Sequence, residues 1–441
     1  MDLMLRKSRS NWDCNEIPFT SSADVNAMNE KLIMPEAQGN SRLAIHGGAP
    51  VRKEPMPPRL ALGDAELKMI QECLSYYREQ ETDPGYQGPF EKMYTDAFVA
   101  MMGGGYADAV ATGTSALYIA VAALNLPKGS EVLVSPITDP GTLSAIILNG
   151  LKPRLMDSKP DSYNIGVKQF VERITDTVSA AVVVHAAGQA TEIDKIIAVA
   201  HARGIKVVED CSQAHGARLM GRPVGTFGDI AAFSTMYRKA HMTGPSGGVV
   251  YSRDLELFRQ ALAHADRGKP RWKDGFDDRD PNTYLFPALN HNTGELSCAI
   301  GMASLGRLSD TIIRRQSFVS DFASALIEQS EVCRPYSWAP TDSPFFFPVI
   351  VDLTSITCSK VEFAEAVRGE GIDLNTHYQY VVAEWPYLKT HLSDGFDTPS
   401  ATSIRDRSFN LYLNEKYGER ESSDAVEAIL KVERYYAKAS K

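Results

Sequence analysis

Lys239 is the residue in this sequence best suited to covalent chemistry with a carbonyl group. It lies in an otherwise uncharged stretch, apart from Arg238, between an apolar run at 229–233 and a glycine-rich turn that leads to a second apolar run at 248–251. A lysine amine withdrawn from water has a lowered pKa, and the neutral amine is a nucleophile that can form a Schiff base. Because most lysines are simply solvated, this prediction depends on the rest of the chain.

Three other features could complete such a site. Residues 112–117, TGTSAL, form a small-residue loop between a predicted strand and a predicted helix, where free amides and hydroxyls suit a phosphate, although a capped turn is the alternative. Asp210 follows the buried run 205–209 and could either pair with a protonated pyridine nitrogen or cap the following turn. Ser234 adds a hydroxyl near the next strand end. A phosphate cradle, then an acid, then a lysine is the chain order of fold-type I enzymes that use pyridoxal phosphate.

Short apolar runs alternate with helical stretches between residues 107 and 209. Runs that are apolar on both faces and joined by helices predict a mostly parallel sheet with helices on either side, and such sheets bind ligands beyond the carboxyl ends of their strands. One long helix or a broken pair is predicted over 292–326, followed by a smaller α+β unit with a strand-like stretch at 372–378. The predicted organisation comprises an N-terminal extension (1–40), a large cofactor-binding domain (41–309, of which 41–75 could pack with the small domain) and a small C-terminal domain (310–441).

The composition argues against several classes of protein. With 441 residues, 44% hydrophobic and 23% charged, the chain can bury the cores of two domains. A net charge of −9 argues against nucleic-acid binding. No apolar run approaches the roughly 20 residues of a membrane span, the start has no apolar core of a signal peptide, and the six cysteines include no CxxC pair. We therefore expect a cytoplasmic protein without a metal site, a disulfide framework or a membrane partner.

From about residue 41 to 441 the chain resembles the sugar aminotransferase family named after its DegT, DnrJ, EryC and StrS members. The order and spacing of the similar segments are specific, and these segments are LAIHGGAP (43–50), TGTSAL (112–117), DSYN (161–164), VHAAGQ (184–189), EDCSQAHG (209–216), GTFGD (225–229), the lysine segment and His377-Tyr378. The resemblance implies an α/β fold of the fold-type I pyridoxal-phosphate transferases, with a mostly parallel sheet, helices on both faces and a smaller α+β C-terminal domain. It also implies a homodimer with shared active sites.

The resemblance assigns roles to individual residues. Lys239 would bind the cofactor covalently, and Asp210 would keep the ring nitrogen protonated so that the ring can accept electrons. Gln213 would hydrogen-bond the phenolic oxygen of the ring. The phosphate would be bound by Gly113, Thr114, Ser115 and Ser234, and in the dimer by Asn290 from the other subunit.

The sequence departs from the family pattern at three positions. Asp139 stands where the family usually has an aromatic residue that stacks on the cofactor ring, so stacking must be weaker or come from elsewhere. Asn292 replaces a usual arginine, and Pro245 replaces the glutamate of a glycine-rich turn. These departures concern contacts to the ring and the substrate. Lys239 itself argues against the dehydratase branch of the family, which has histidine there.

The predicted function is transfer of an amino group from glutamate or glutamine to a ketosugar, phosphorylated or nucleotide-linked, in antibiotic or surface-polysaccharide biosynthesis. Two alternatives remain: an elimination and aromatisation that yields an amino-hydroxybenzoate, and a non-catalytic binding module with the same fold. Predicted substrate contacts are Asp139, His185, Arg267, Arg271, His377 and Tyr378. His185 could equally be a core histidine. The four cations of the loop 267–273 could bind a substrate phosphate or could simply be solvated.

Overall fold

Seven strands form the main sheet of the computed structural model, which describes residues 42–438. The predicted extension at 1–40 lies outside the described residues. The strands of this sheet are β1 (Tyr106–Val110), β2 (Glu131–Val134), β3 (Lys152–Leu155), β4 (Val178–Val184), β5 (Lys206–Asp210), β8 (Ile230–Ser234) and β9 (Gly248–Ser252), and a hairpin of β6 (Arg218–Leu219) and β7 (Arg222–Pro223) intervenes in the chain. Their order across the sheet is β1-β9-β8-β5-β4-β2-β3, and β9 alone runs against the others.

Helices cover both faces of this sheet. They are α1 (Asp64–Glu79), α2 (Pro89–Met102), α3 (Gly113–Ala123), α4 (Pro140–Leu148), α5 (Val167–Glu172), α6 (Ile193–His201), α7 (Leu255–Ala265) and α8 (Glu295–Gly306). The next helix, α9 (Leu308–Gln329), packs instead in the core of the second sheet. Along β4, Val182 packs into the core formed with α3 and α4, whereas Val183 packs into the core formed with α5 and α6. Because successive residues of a strand point to opposite faces, a sheet covered on both sides requires the continuous apolar runs seen in the sequence.

A second sheet lies further along the chain. Its strands, all antiparallel, follow the order β10-β11-β13-β12, with β10 (Cys333–Pro335), β11 (Phe346–Val351), β12 (Leu374–Asn375) and β13 (Ser408–Tyr412). The accompanying helices are α10 (Lys360–Gly369), α11 (Pro399–Asp406) and α12 (Glu419–Tyr436), and short 3-10 helices occur at Ala44–His46, Ala186–Gly188, Pro281–Thr283, Val382–Glu384 and Pro386–Leu388. The prediction of an α/β fold with a smaller α+β part is confirmed.

Local deviations from the prediction have identifiable causes. The stretch 372–378 contains only the two-residue strand β12, because the Asn375 side chain accepts a hydrogen bond from the His377 amide and turns the chain. The helical region after 292 is a broken pair that is interrupted at Arg307. The predicted boundary at 309/310 falls inside α9, and the described residues belong to one compact unit, so the domain division stays a prediction. Among residues 42–438, no helix combines the length and apolar character needed to cross a membrane.

Candidate active site

Lys239 lies in the loop that connects β8 to β9. The base of this loop is closed by two backbone hydrogen bonds, from the Thr235 amide to Gly247 O (2.9 Å) and from the Thr243 amide to Thr235 O (2.9 Å). Glycine is required at 247, because a Cβ there would lie 1.9 Å from Thr243 Oγ1 and φ is +159°. The loop therefore starts and ends at a fixed point beside the carboxyl end of β8.

Arg59 holds the lysine loop from outside the sheet. Its guanidinium donates to Tyr237 O (2.8 Å) and Ala240 O (3.2 Å), the carbonyls on either side of Lys239, and Nε donates to Glu415 (3.0 Å). Sequence reasoning missed this arginine, because it is 178 residues from Tyr237 and no local pattern marks it.

The Lys239 amine is half-buried, with Nζ 4.4 Å from the centre of the Phe345 ring. Burial lowers the pKa of Lys239 to about 8, while the negative charges of Asp210 and Asp139 act in the opposite direction. At neutral pH a larger fraction of this amine is therefore neutral than in an exposed lysine. This is the environment that a Schiff-base lysine needs.

Asp210 ends β5 and is buried. Oδ1 accepts a hydrogen bond from the Ser212 amide (3.1 Å), so the turn-capping alternative applies to this oxygen. Oδ2 accepts from the Thr142 hydroxyl at 3.0 Å. Each oxygen of a carboxylate can accept more than one hydrogen bond, so Asp210 is oriented but not saturated.

The predicted phosphate-binding segments adjoin each other. Thr112 caps α3 by accepting a hydrogen bond from the Ser115 amide (2.8 Å), and the first helical amides, those of Gly113 and Thr114, have no partner within the helix. A Cβ on Gly113 would lie 2.4 Å from the Ser234 Cβ. The backbone at the start of α3 therefore packs directly against Ser234, and the two segments form a cradle of amides and hydroxyls that suits a phosphate.

Gln213 and Tyr378 lie next to each other. Gln213 Oε1 accepts from the Ala187 amide (2.8 Å), and Gln213 also hydrogen-bonds the Tyr378 phenol. Tyr378 stacks nearly parallel on Tyr163, with ring centres 5.8 Å apart. The Gln213 amide nitrogen is a donor, so its predicted contact with the phenolic oxygen of the cofactor is chemically suitable and stays a prediction.

His185 belongs to the core. It is fully buried, its Nε2 lies 3.0 Å from Glu209 Oε2, and its Nδ1 accepts from the Thr191 amide (3.1 Å). This pattern corresponds to a neutral ring with the proton on Nε2. The structure therefore supports the core alternative for His185 rather than a substrate contact.

His185, Glu209 and Cys211 place their potential ligand atoms within 4.8 Å of one another, which is a metal-like arrangement. The Glu209 carboxylate, however, already accepts hydrogen bonds from the backbone amides of residues 225, 227 and 228 as well as pairing with His185. Such a fully bonded carboxylate stabilises the turn after β7 and needs no cation.

Three of the four cations of the loop 267–273, namely Arg267, Lys269 and Arg271, pair with carboxylates of the chain. Arg267 Nε donates to Asp266 Oδ1 (2.7 Å) and its terminal nitrogen donates to Tyr86 (3.0 Å). Arg271 Nε donates to Asp266 Oδ2 (2.7 Å) and the Arg271 guanidinium reaches Asp278. A substrate phosphate would have to compete with these carboxylates, so the structure gives no support to this loop as a free anion site.

Asn290 follows this loop and is exposed. Its Oδ1 accepts hydrogen bonds from the Asn292 amide (3.1 Å) and side chain (2.8 Å). Asn292 also accepts from Gln87 Nε2 (2.8 Å). The predicted contact of Asn290 with the phosphate of a second subunit stays a prediction.

His377 is oriented by Lys360, another residue that sequence reasoning missed. Lys360 Nζ donates to Thr376 O (2.8 Å) and lies 3.1 Å from His377 Nδ1. Burial lowers the pKa of Lys360 to about 8. Since an ammonium can only donate, Nδ1 of His377 accepts, and the chain between β12 and Tyr378 is fixed in place.

Asp139 caps a helix at the position of the expected aromatic residue. Its Oδ1 accepts from the Gly141 amide (2.9 Å) at the start of α4. Aromatic side chains approach from the segment that follows Tyr378, because the Thr138 amide bonds Tyr380 O (3.2 Å) and the Tyr380 ring contacts Trp385 at 6.1 Å between centres. These rings are the local aromatic groups available to replace the missing one.

Asp139 allows a test that separates capping from charge. We expect Asp139→Ala to lower the free energy of unfolding by about 1 kcal/mol through loss of the cap, and Asp139→Asn to retain most of it. Both variants remove the carboxylate that favours protonated Lys239, so the pKa of Lys239 should fall in both. Urea unfolding and the pH dependence of Lys239 labelling measure the two effects. Equal stability losses in the two variants would contradict the capping role.

Several known proteins are similar to this chain. The GDP-perosamine synthase of Escherichia coli O157:H7 is 29% identical over 256 residues, which cover 58% of this chain and 67% of that protein. The spore coat polysaccharide biosynthesis protein SpsC of Bacillus subtilis is 28% identical over 374 residues, or 83% of this chain and 94% of that protein. The X-ray structure of an aminotransferase from Psychrobacter cryohalolentis superposes with a TM-score of 0.77 at 25% identity, covering 85% of this chain and 98% of that one.

The resemblance inferred from the motifs is confirmed, because the sequence model of a protein family matches this chain. The match extends over residues 67–430 and so contains the cradle at the start of α3, Asp210 and Lys239. The groups at this edge of the sheet fit pyridoxal phosphate. They are a nucleophilic lysine, a buried acid and an amide-rich cradle, which a single Cβ at Gly113 would obstruct. The chain belongs to the DegT/DnrJ/EryC1/StrS aminotransferase family.

Proposed function

We propose that this pyridoxal-phosphate-dependent aminotransferase moves an amino group from glutamate or glutamine to a ketosugar that carries a phosphate or a nucleotide. The observation that carries the proposal is the lowered pKa of Lys239, about 8, beside the buried Asp210 and the cradle of α3. Similarity to a GDP-perosamine synthase supports a nucleotide-linked acceptor.

The bound cofactor supplies a conjugated ring that stabilises negative charge on the carbon that loses its proton. The residues of this chain supply the proton transfer. The Lys239 amine would hold the cofactor, and when it is not so engaged it could accept the proton from the donor's α carbon and return a proton in the second half of the reaction. A group with a pKa near the working pH can act efficiently in both directions, and a pKa of about 8 meets this condition.

Asp210 has an electrostatic role in this proposal. Its buried carboxylate would keep the pyridine nitrogen protonated, and the hydrogen bond from Thr142 holds Oδ2 in one orientation. A positive ring nitrogen draws charge away from the reacting carbon, and in a buried site this interaction is worth more than in water.

We further propose a homodimer in which Asn290 of each subunit approaches the phosphate of the other. The exposure of Asn290 and its place next to the paired loop 267–273 are compatible with this arrangement. A two-fold symmetric interface is the usual solution for such an assembly.

The decisive experiment follows both halves of the reaction. Purified protein loaded with pyridoxal phosphate is titrated with glutamate and, separately, glutamine, and we expect one of them to remove the visible absorbance of the lysine-linked cofactor. Free, 6-phosphorylated and nucleotide-linked ketosugars are then added, and a competent acceptor restores the absorbance and yields an aminosugar detectable by mass spectrometry. A completed donor half-reaction with no aminosugar from any acceptor would instead favour the elimination alternative, and no response to any donor would contradict the proposal.

A further inference from the structure

The strongest structural feature around Lys239 that the proposed function does not use is a partly buried ion cluster centred on Glu415. This carboxylate pairs with three guanidiniums, those of Arg59 (3.0 Å), Arg307 (3.5 Å) and Arg315 (3.2 Å). Glu66 joins the cluster through Arg307 at 2.7 Å. Buried charges of this kind are costly unless all are paired, so the cluster is rigid when complete.

On one side the cluster contacts the backbone of the lysine loop through Arg59. Arg59 is held by Glu415 through Nε, and its two terminal nitrogens reach Tyr237 O (2.8 Å) and Ala240 O (3.2 Å). The planar guanidinium thus spans the residues that immediately surround Lys239. A lysine side chain could not make these three directed contacts, because an ammonium is a point charge on a flexible stem.

On its other side the cluster contacts the carbonyl that precedes the ring near the amine. Arg315, which is 1% exposed, donates to Pro344 O (3.3 Å) while pairing with Glu415. Pro344 immediately precedes Phe345, whose ring centre lies 4.4 Å from Lys239 Nζ. Glu415 therefore connects to both the backbone that carries Lys239 and the ring that the amine contacts.

We propose that Arg59, anchored by Glu415, is a positioning residue that holds Lys239 in the desolvated place where its amine is reactive. The inference rests on the proposed function only in taking Lys239 as the reactive amine. The charged and titratable groups facing this part of the loop are Asp210, Asp139, the buried His215 and His241, and the arginines of the cluster. Arg59 touches none of the reacting atoms and acts through the loop backbone.

The test compares Arg59→Gln with Arg52→Gln. Arg52 is a matched control: it is an arginine of the same segment, 4% exposed at the side chain, that likewise connects the segment to the C-terminal region through Glu421 (3.0 Å) and Asp424 (2.6 Å). Its partners lie outside the lysine loop. Both variants should lose stability, so stability alone does not discriminate between them.

The discriminating measurement is the pH dependence of covalent labelling of Lys239 in the cofactor-free protein by pyridoxal phosphate, trapped by borohydride reduction and located by mass spectrometry. We expect a midpoint near pH 8 in the wild type and in Arg52→Gln. In Arg59→Gln the midpoint should rise by about one pH unit or more toward 10.5, because the amine gains access to water, and labelling at neutral pH should fall about tenfold.

Each outcome separates the two hypotheses. An unchanged midpoint in Arg59→Gln, with wild-type labelling intact, would overturn the positioning role and leave the proposed function standing. Absence of labelling at Lys239 in the wild type would overturn the proposed function itself. Arg59→Lys provides a second variant, because it keeps the positive charge but lacks the planar guanidinium. It should therefore label like Arg59→Gln. Full recovery of the wild-type midpoint would contradict positioning by the guanidinium.

Discussion

Lys239→Ala is expected to abolish transamination and the visible absorbance of the lysine-linked cofactor while the protein stays folded. The Lys239 amine lies over the Phe345 ring, and the loop is fixed by backbone bonds at Thr235 and by Arg59. Removing the amine therefore takes away the covalent attachment and the proton carrier without opening the core. Since both functions depend on the same atom, we expect activity to fall by several orders of magnitude.

The chain offers a matched control for this experiment. Burial lowers the pKa of Lys360 to about 8, as it does for Lys239, but the Lys360 amine is bonded to Thr376 and His377. Lys360→Ala should therefore keep the covalent attachment of the cofactor, which reduction and peptide mapping can locate. Attachment that persists in Lys239→Ala and disappears in Lys360→Ala would show that the wrong lysine has been assigned.

Asp210→Asn should give the second-largest effect. The amide keeps the shape of the carboxylate: its oxygen can still accept from the Ser212 amide, and its nitrogen can donate to the Thr142 hydroxyl, so the turn after β5 should survive. What is lost is the negative charge that would hold the ring nitrogen protonated. By analogy with the loss of one preorganised electrostatic contact, we expect the donor half-reaction to slow by roughly 10²–10³-fold.

Stopped-flow measurement of the reaction with the amino donor tests this expectation. Cofactor affinity, measured separately by equilibrium dialysis, should change far less than the rate. Thr142→Val is a useful companion, because it removes one hydrogen bond to Asp210 and leaves the charge in place, so its rate should lie between those of the wild type and Asp210→Asn. A donor half-reaction at the wild-type rate in Asp210→Asn would reduce Asp210 to a turn-capping residue.

Local sequence patterns predicted the parts of the site that depend on neighbouring residues. The apolar run that ends before Asp210, the small-residue loop at the start of α3 and the lysine between two strands each carry a local signature, and the structure brings them to one sheet edge. His185 shows the limit of such patterns, because it follows an apolar run just as Asp210 does. Which side of the sheet a side chain faces depends on the register, and no local signal distinguished the two.

Contacts between distant segments could not be predicted from a single sequence. Phe345, Arg59 and Lys360 act on the site only because the fold brings them there. The loop at 267–273 illustrates the same limit with charges: its acids Asp266 and Asp278 were visible in the sequence, but their pairing with Arg267 and Arg271 depends on the path of the backbone. The number of cationic residues in the sequence of this loop therefore overestimates the number that are available to bind an anion.

The distance along the chain between the members of the Arg59–Glu415 contact has a consequence for biosynthesis. These residues are 356 positions apart, and the lysine loop lies between them. A ribosome completes the main sheet and Lys239 long before it adds position 415. The nascent chain therefore has Lys239 before it has the Glu415 carboxylate that anchors Arg59 against the lysine loop. Long-range contacts of this kind form late. We therefore expect stable cofactor attachment only after position 415 has been added, and a ribosome-stalled chain lacking position 415 to bind pyridoxal phosphate weakly even though its main sheet is complete.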